Sequence, residues 1–155
     1  MATDTAERQD ISAFEIRQEI AIDAPIEIAF QSVLDELGPE GQGPNGQSLS
    51  MKLEAWPGGR WYRDLGNEAG HLWGHVQVIK PPTLLEIIGP MPMSYPAVNH
   101  IQYRLKEGDG GTRLTFLHRC MGLILPEHSD GMPEGWEHWL DQIRKRAERG
   151  AHMSR

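Results

Sequence analysis

Between residues 132 and 148 the apolar positions recur at helical spacing. Trp136, Trp139, Leu140, Ile143 and Ala147 stand at i, i+3, i+4, i+7 and i+11, one face of a 3.6-residue period. Glu137, Asp141, Arg144, Lys145 and Glu148 take the other side. Pro133 suits a first helical turn and Glu134 suits the positive end of the helix dipole. Gly150 can supply a left-handed stop. Two indoles on the buried stripe are a large apolar load, so this helix needs a broad apolar surface to lie on.

The rest of the chain predicts that surface. Over residues 14–22, Phe14, Ile16, Ile20 and Ile22 share one parity and Glu15, Arg17 and Glu19 the other, a half-buried strand. Asp23-Ala24-Pro25 breaks it and starts a short helix, with Asp23 as cap and Pro25 in the first turn. That helix carries Ile26, Ala29, Phe30, Val33, Leu34 and Leu37 on one face. Residues 38–48 are rich in glycine and proline and form a loop. Strands then follow over residues 50–56, 60–64, 71–80, 84–88, 98–106 and 113–121. Pro57-Gly58-Gly59, Pro81-Pro82 and Gly89-Pro90 separate them, and residues 91–97 form an irregular loop rich in Pro and Met. Gly108-Asp109-Gly110-Gly111 is a strong hairpin signal. One strand, one or two short helices, about six to seven strands in all and a long last helix specify an α+β fold. Its antiparallel sheet has one face covered by that helix.

Length and charge narrow the class. The 155 residues suit one domain, here 13–150, behind a flexible polar lead over residues 1–12. A net charge of −7 argues against nucleic-acid binding, which favours a basic face. No apolar run approaches the roughly 20 residues of a membrane span, and the start of the chain lacks an apolar signal region. The one cysteine, Cys120, excludes an internal disulfide and fits a reducing cytoplasm.

Several motifs, in order, are similar to those of one superfamily. They are the opening strand with Asp23-Ala24-Pro25, then Pro57-Gly58-Gly59-Arg60-Trp61, then Gly74-His75-Val76 running into Pro81-Pro82 and Leu85. Thr115-Phe116-Leu117-His118 and Gly135-Trp136 with Leu140 and Ile143 complete the set. Over residues 14–148 the chain resembles the SRPBCC or START-like helix-grip superfamily, and within it the homologues of the activator of the heat-shock-protein ATPase. The resemblance implies a helix-grip fold, with a curved antiparallel sheet wrapped around the C-terminal helix. It implies a mixed range of roles: lipid and polyketide binders, cyclases and co-chaperones.

Strand parity selects the inward set. Leu114, Phe116, His118 and Cys120 share a face; so do Ile101, Tyr103 and Leu105; so do Leu85 and Ile87; and Trp61 shares parity with Arg63. If the gap between helix and sheet is a cavity, it is lined by Trp61, Arg63, Ile87, Ile101, Tyr103, Phe116, His118, Cys120, Trp136, Trp139, Leu140 and Ile143. His118 reads as a pocket acid or base, or, more economically, as a core histidine satisfied by a neighbour. Arg63 could hold an anion, but a surface position is the simpler reading. Tyr103 could offer its hydroxyl to a ligand, though an amphipathic core residue is simpler. Cys120 is more simply a small buried hydrophobe than a nucleophile. His71 and His75 have zinc-like spacing, but on a strand they stand about 13 Å apart, so no metal site is expected. No phosphate loop or catalytic triad pattern is present, and no cofactor is implied.

These residues support first the binding of a hydrophobic small molecule, lipid-like or aromatic, between sheet and helix. The alternative is a polyketide-cyclase or hydratase-like enzyme with His118 as its acid or base. The third reading is a co-chaperone-like interaction domain. Nucleic acid and membrane insertion are not expected, and the oligomeric state is left open, a homodimer included.

Overall fold

The computed structural model describes residues 5–153. Its elements are β1 (Ser12–Ile22), α1 (Ile26–Leu37), β2 (Met51–Leu53), β3 (Arg60–Gly66), β4 (Ala69–Lys80), β5 (Leu84–Gly89), β6 (Ala97–Gly108), β7 (Gly111–Gly122) and α2 (Pro126–Met153). The strands form one seven-stranded sheet in the order β1-β7-β6-β5-β4-β3-β2, with every pairing antiparallel. This is the helix-grip arrangement. No helix among the described residues is long and apolar enough to cross a membrane. Part of the expected N-terminal lead lies outside the described residues; residues 5–11 are exposed and without regular structure.

The alternating segments became strands with the expected faces. Leu114, Phe116, His118 and Cys120 of β7 are buried, as are Ile101, Tyr103 and Leu105 of β6 and Leu85 and Ile87 of β5. The β6–β7 hairpin turns through Asp109 and Gly110, at φ of 52° and 80°. Two consecutive left-handed residues match the twist of the flanking strands. β2 is shorter than the sequence pattern suggests. Beyond Leu53 the chain turns back on itself, with the Trp56 N–H on the Glu54 carbonyl and the Gly59 N–H on the Trp56 carbonyl. A Cβ on Gly59 would lie 1.8 Å from the Glu54 carbonyl oxygen, so the turn requires glycine there.

Both helix boundaries differ from the sequence reading. Asp23 does not cap α1; Pro25 holds the cap position without a side-chain bond. The Asp23 N–H instead donates to Glu148 Oε1 at 3.1 Å, tying the end of β1 to α2. α2 begins at Pro126, so Pro133 lies inside it rather than in its first turn. Gly150 is not a stop either. The helix runs on to Met153, and a Cβ at Gly150 would meet Ile28 Cγ2 at 3.3 Å, so the small residue serves close packing on α1. Twenty-eight residues make α2 about 42 Å long.

The C-terminus of α1 is closed by side chains from far along the chain. The last carbonyls of a helix have no partner within it. Here the Trp61 indole N–H donates to the Leu37 carbonyl at 2.8 Å, and the Trp139 indole N–H donates to the Glu36 carbonyl at 3.1 Å. The Glu36 carboxylate, itself buried, accepts from Arg146 Nε at 2.7 Å. Sheet, α1 and α2 meet at this one point. Trp61→Phe should therefore lower stability by about 2–3 kcal/mol, because it strands a buried carbonyl and leaves a gap. Trp56→Phe, at a side chain that is 57% exposed, should change stability by less than about 0.5 kcal/mol. Urea unfolding of the two variants measures both.

Candidate functional site

The inner face of the sheet and the stripe of α2 enclose a chain of aromatic rings. Tyr103 packs on Phe116 with centroids 5.1 Å apart, and Phe116 packs on Trp136 at 4.4 Å. Trp136 stacks on Trp139 at 5.6 Å, and Trp139 tilts against Trp61 at 6.1 Å. Trp73 meets Trp61 edge-on at 5.1 Å. With Ile87, Ile101, Leu140 and Ile143 these rings make one apolar cluster, in which Trp73 and Trp139 are partly exposed. In this state the side chains occupy the gap. Among the described residues, surface grooves of about 270 to 610 Å³ each take at most one of the residues expected to line a cavity.

Arg63 stands apart from the others. It is exposed and lines a groove of about 610 Å³ on the β3–β4 hairpin, beside Arg60, Tyr62 and His71. Register shifts lie on both sides of it, between Trp61 and Tyr62 and between Asp64 and Gly66. Such bulges add twist and end the simple inward and outward alternation that aligned Arg63 with Trp61.

His118 is fully buried and fully satisfied. The Trp136 indole N–H donates to His118 Nδ1 at 2.9 Å, so that nitrogen carries no proton. The proton sits on Nε2 and is donated to Asn99 Oδ1 at 2.7 Å. Asn99 Nδ2 then donates to the carbonyls of Gly89 at 3.2 Å and Pro90 at 3.1 Å. Burial pushes the imidazole pKa down to about 4, and the nearby His100 pushes the same way. The ring is therefore neutral at pH 7, with both nitrogens engaged. It positions Trp136 and has no free nitrogen for proton transfer.

The phenol, indole and thiol beside these rings are also uncharged. Burial raises the Tyr103 phenol above its usual range, and the hydroxyl, wholly buried, has no hydrogen-bond partner. The Trp73 indole N–H is likewise buried and unpartnered. Burial pushes the Cys120 thiol up, and its sulfur lies 3.9 Å from Met93 Sδ. A raised pKa keeps it a thiol rather than a nucleophilic thiolate. Among the described residues no group of three His, Cys, Asp or Glu is placed to hold a metal ion.

Asn99 and Trp73 are site residues that the sequence reading missed. Asn99 shares the parity of Ile101 and Tyr103, and a polar residue on that inward face was the available signal. Trp73 is the extra residue of the β4 bulge, unpaired between Leu72 and Gly74 opposite Tyr62 and Trp61, and sequence offers no sign of a bulge there.

Residues 46–148 match the family described as Activator of Hsp90 ATPase homolog 1-like protein. The chain belongs to that family. The family match spans β2 to most of α2, the elements that supply nearly all of the ring cluster. Solved structures share the fold of this Activator of Hsp90 ATPase homolog 1-like chain at low identity. A protein from Rhizobium leguminosarum is 20% identical with a TM-score of 0.71, over 92% of this chain and 99% of its own. A protein of unknown function from Staphylococcus aureus is 15% identical with a TM-score of 0.69, over 92% and 98%. CalU16 from Micromonospora echinospora is 22% identical with a TM-score of 0.56, over 90% and 83%. No curated protein matches by sequence.

The His118 network has a pH signature. The unfolded imidazole takes up a proton near pH 6.5, whereas the folded one resists until about pH 4. The stabilising effect is therefore complete above pH 6.5 and is lost as pH falls from 6.5 toward 4, a total of about 3 kcal/mol. His118→Gln should be less stable at pH 7 and should lose much less on acidification to pH 4.5. Urea unfolding of both proteins across that range checks this; parallel pH profiles would refute it.

Proposed function

We propose that the interior between the sheet and α2 takes up a hydrophobic small molecule, lipid-like or aromatic. The observation that carries this reading is the Tyr103 hydroxyl, wholly buried among apolar side chains and without a partner. A buried hydroxyl left unpaired costs about 1–3 kcal/mol, so a ligand oxygen or nitrogen beside it would recover a hydrogen bond. The surrounding chemistry suits an uncharged apolar guest, because His118 is neutral and the Tyr103 phenol keeps its proton. Ligand sites are mostly apolar with a few placed polar groups. Room for the guest comes from side-chain movement, and Trp139, on α2, is with Trp73 one of the two ring-cluster members that already reach solvent. The lone Cys120 suits a reducing cytoplasm, where we place the protein. A cyclase or hydratase role would need a free proton-transfer group, and His118 supplies none.

Native mass spectrometry of freshly purified protein should show a co-purifying apolar ligand. Absence of any such ligand, together with failure to bind neutral apolar dyes, would refute the reading. Tyr103→Phe should weaken binding about tenfold, the worth of one hydrogen bond, while the ligand-free protein keeps or gains up to about 1 kcal/mol of stability. Trp139→Ala should change the amount of dye bound, and Lys145→Ala, at an exposed position, should not. Equal effects from the last two substitutions would remove Trp139 from the site.

A further inference from the structure

α2 is made of two unlike halves. From Trp136 onward it buries Trp136, Leu140, Ile143, Ala147 and Ala151, whereas residues 126–135 contain no fully buried side chain. The first half also holds Gly131, Pro133 and Gly135 within one and a half turns. An interior glycine lowers helical population about fivefold against alanine, and an interior proline lowers it further. Packing does not require either glycine. A Cβ at Gly131 or Gly135 would meet nothing within 4 Å. What the two glycines contribute is a weak half-helix.

The weak half is held from outside. Tyr95, in the loop between β5 and β6, stacks on His128 with centroids 5.5 Å apart, and its hydroxyl lies 2.7 Å from His128 Nδ1. The same hydroxyl accepts the Leu125 N–H at 3.3 Å, so Tyr95 holds both the ring of His128 and the start of the helix. Gln18 of β1 donates to the Pro133 carbonyl at 2.9 Å. The loop itself, residues 90–96, has no regular secondary structure and buries Met91 and Met93. Met93 Sδ sits 3.5 Å from Asn99 Nδ2 and 3.9 Å from Cys120 Sγ, a plug over the end of the interior where His118 and Trp136 meet. Methionine is flexible and can leave such a position without a fixed shape to restore.

We infer that residues 126–135 and the loop 90–96 form a single gate, latched by Tyr95 on His128, which opens by unwinding of the half-helix up to Gly135. Through it the apolar ligand reaches the interior, a role that rests on the ligand reading above. Opening leaves the fold in place, because the buried stripe, the Glu36–Arg146 pair and the Asp23–Glu148 bond all lie in or beyond the second half.

Hydrogen exchange on the full chain, read by mass spectrometry, tests the gate. Stopped-flow uptake of the neutral dye N-phenyl-1-naphthylamine tests its role as entrance. Amides of residues 126–135 and of the loop should exchange together and far faster than those of residues 136–151. The double variant Gly131→Ala with Gly135→Ala, which strengthens the helix, should slow exchange in both segments by about fivefold per substitution, and dye uptake by the same factor. Tyr95→Phe should speed both. Slowed exchange in the helix with an unchanged loop would overturn the single gate. Slowed exchange with unchanged uptake would overturn the entrance role and leave the ligand site standing. A dye that never binds the wild-type protein, while both segments exchange together, would overturn the ligand reading and the entrance role with it.

Discussion

The structure depends on how the C-terminus of α1 is closed. Gly38 donates to the carbonyls of Leu34 and Asp35, and the next two carbonyls are left to the indoles of Trp139 and Trp61. Those indoles come from α2 and from β3, which share no sequence neighbourhood with α1. Each bond satisfies a group that would be costly to bury unpaired. The same two rings then carry the aromatic contacts toward Trp136 and Trp73. Helix capping and core packing are thus one interaction at this point, and neither indole can be exchanged for another apolar ring without stranding a carbonyl.

A second constraint is neutrality. Around the ring cluster the polar groups are an imidazole, an amide, a phenol, a thiol and four indole N–H groups, all uncharged at pH 7. The His118, Asn99 and Trp136 network needs the imidazole neutral, since a proton on Nδ1 would face the Trp136 donor. The buried carboxylate of Glu36 is placed outside that network and paired with Arg146, which reaches it from α2. Separating the ion pair from the aromatic interior leaves an environment suited to apolar, uncharged chemistry.

Long-range contacts also explain why α2 is longer than its strong helix formers. Residues 126–135 are poor helix by composition, yet they are helical because Tyr95 and Gln18 hold them. Tertiary contact overrides propensity there, as it often does. Such contact-held segments are the ones that open locally while the rest of the domain stays folded.

By itself the sequence determined where the strands lie, the inward faces of β5, β6 and β7, the hairpin at Asp109 and Gly110, and the apolar stripe of α2. All of these follow from periodicity or from a turn chemistry that acts within a few residues. It also marked His118 and Tyr103 as the polar residues of the inner face. Only the tertiary structure decided what those groups meet. That both nitrogens of His118 are taken depends on Asn99 and Trp136, 19 and 18 positions away. That Arg63 is exposed depends on bulges in its pairing with β4, and that Asp23 reaches Glu148 instead of capping α1 depends on a residue 125 positions away. Local pattern specifies which way a side chain points. The partner it finds is chosen by the packing of distant segments, and no period in the sequence encodes that choice.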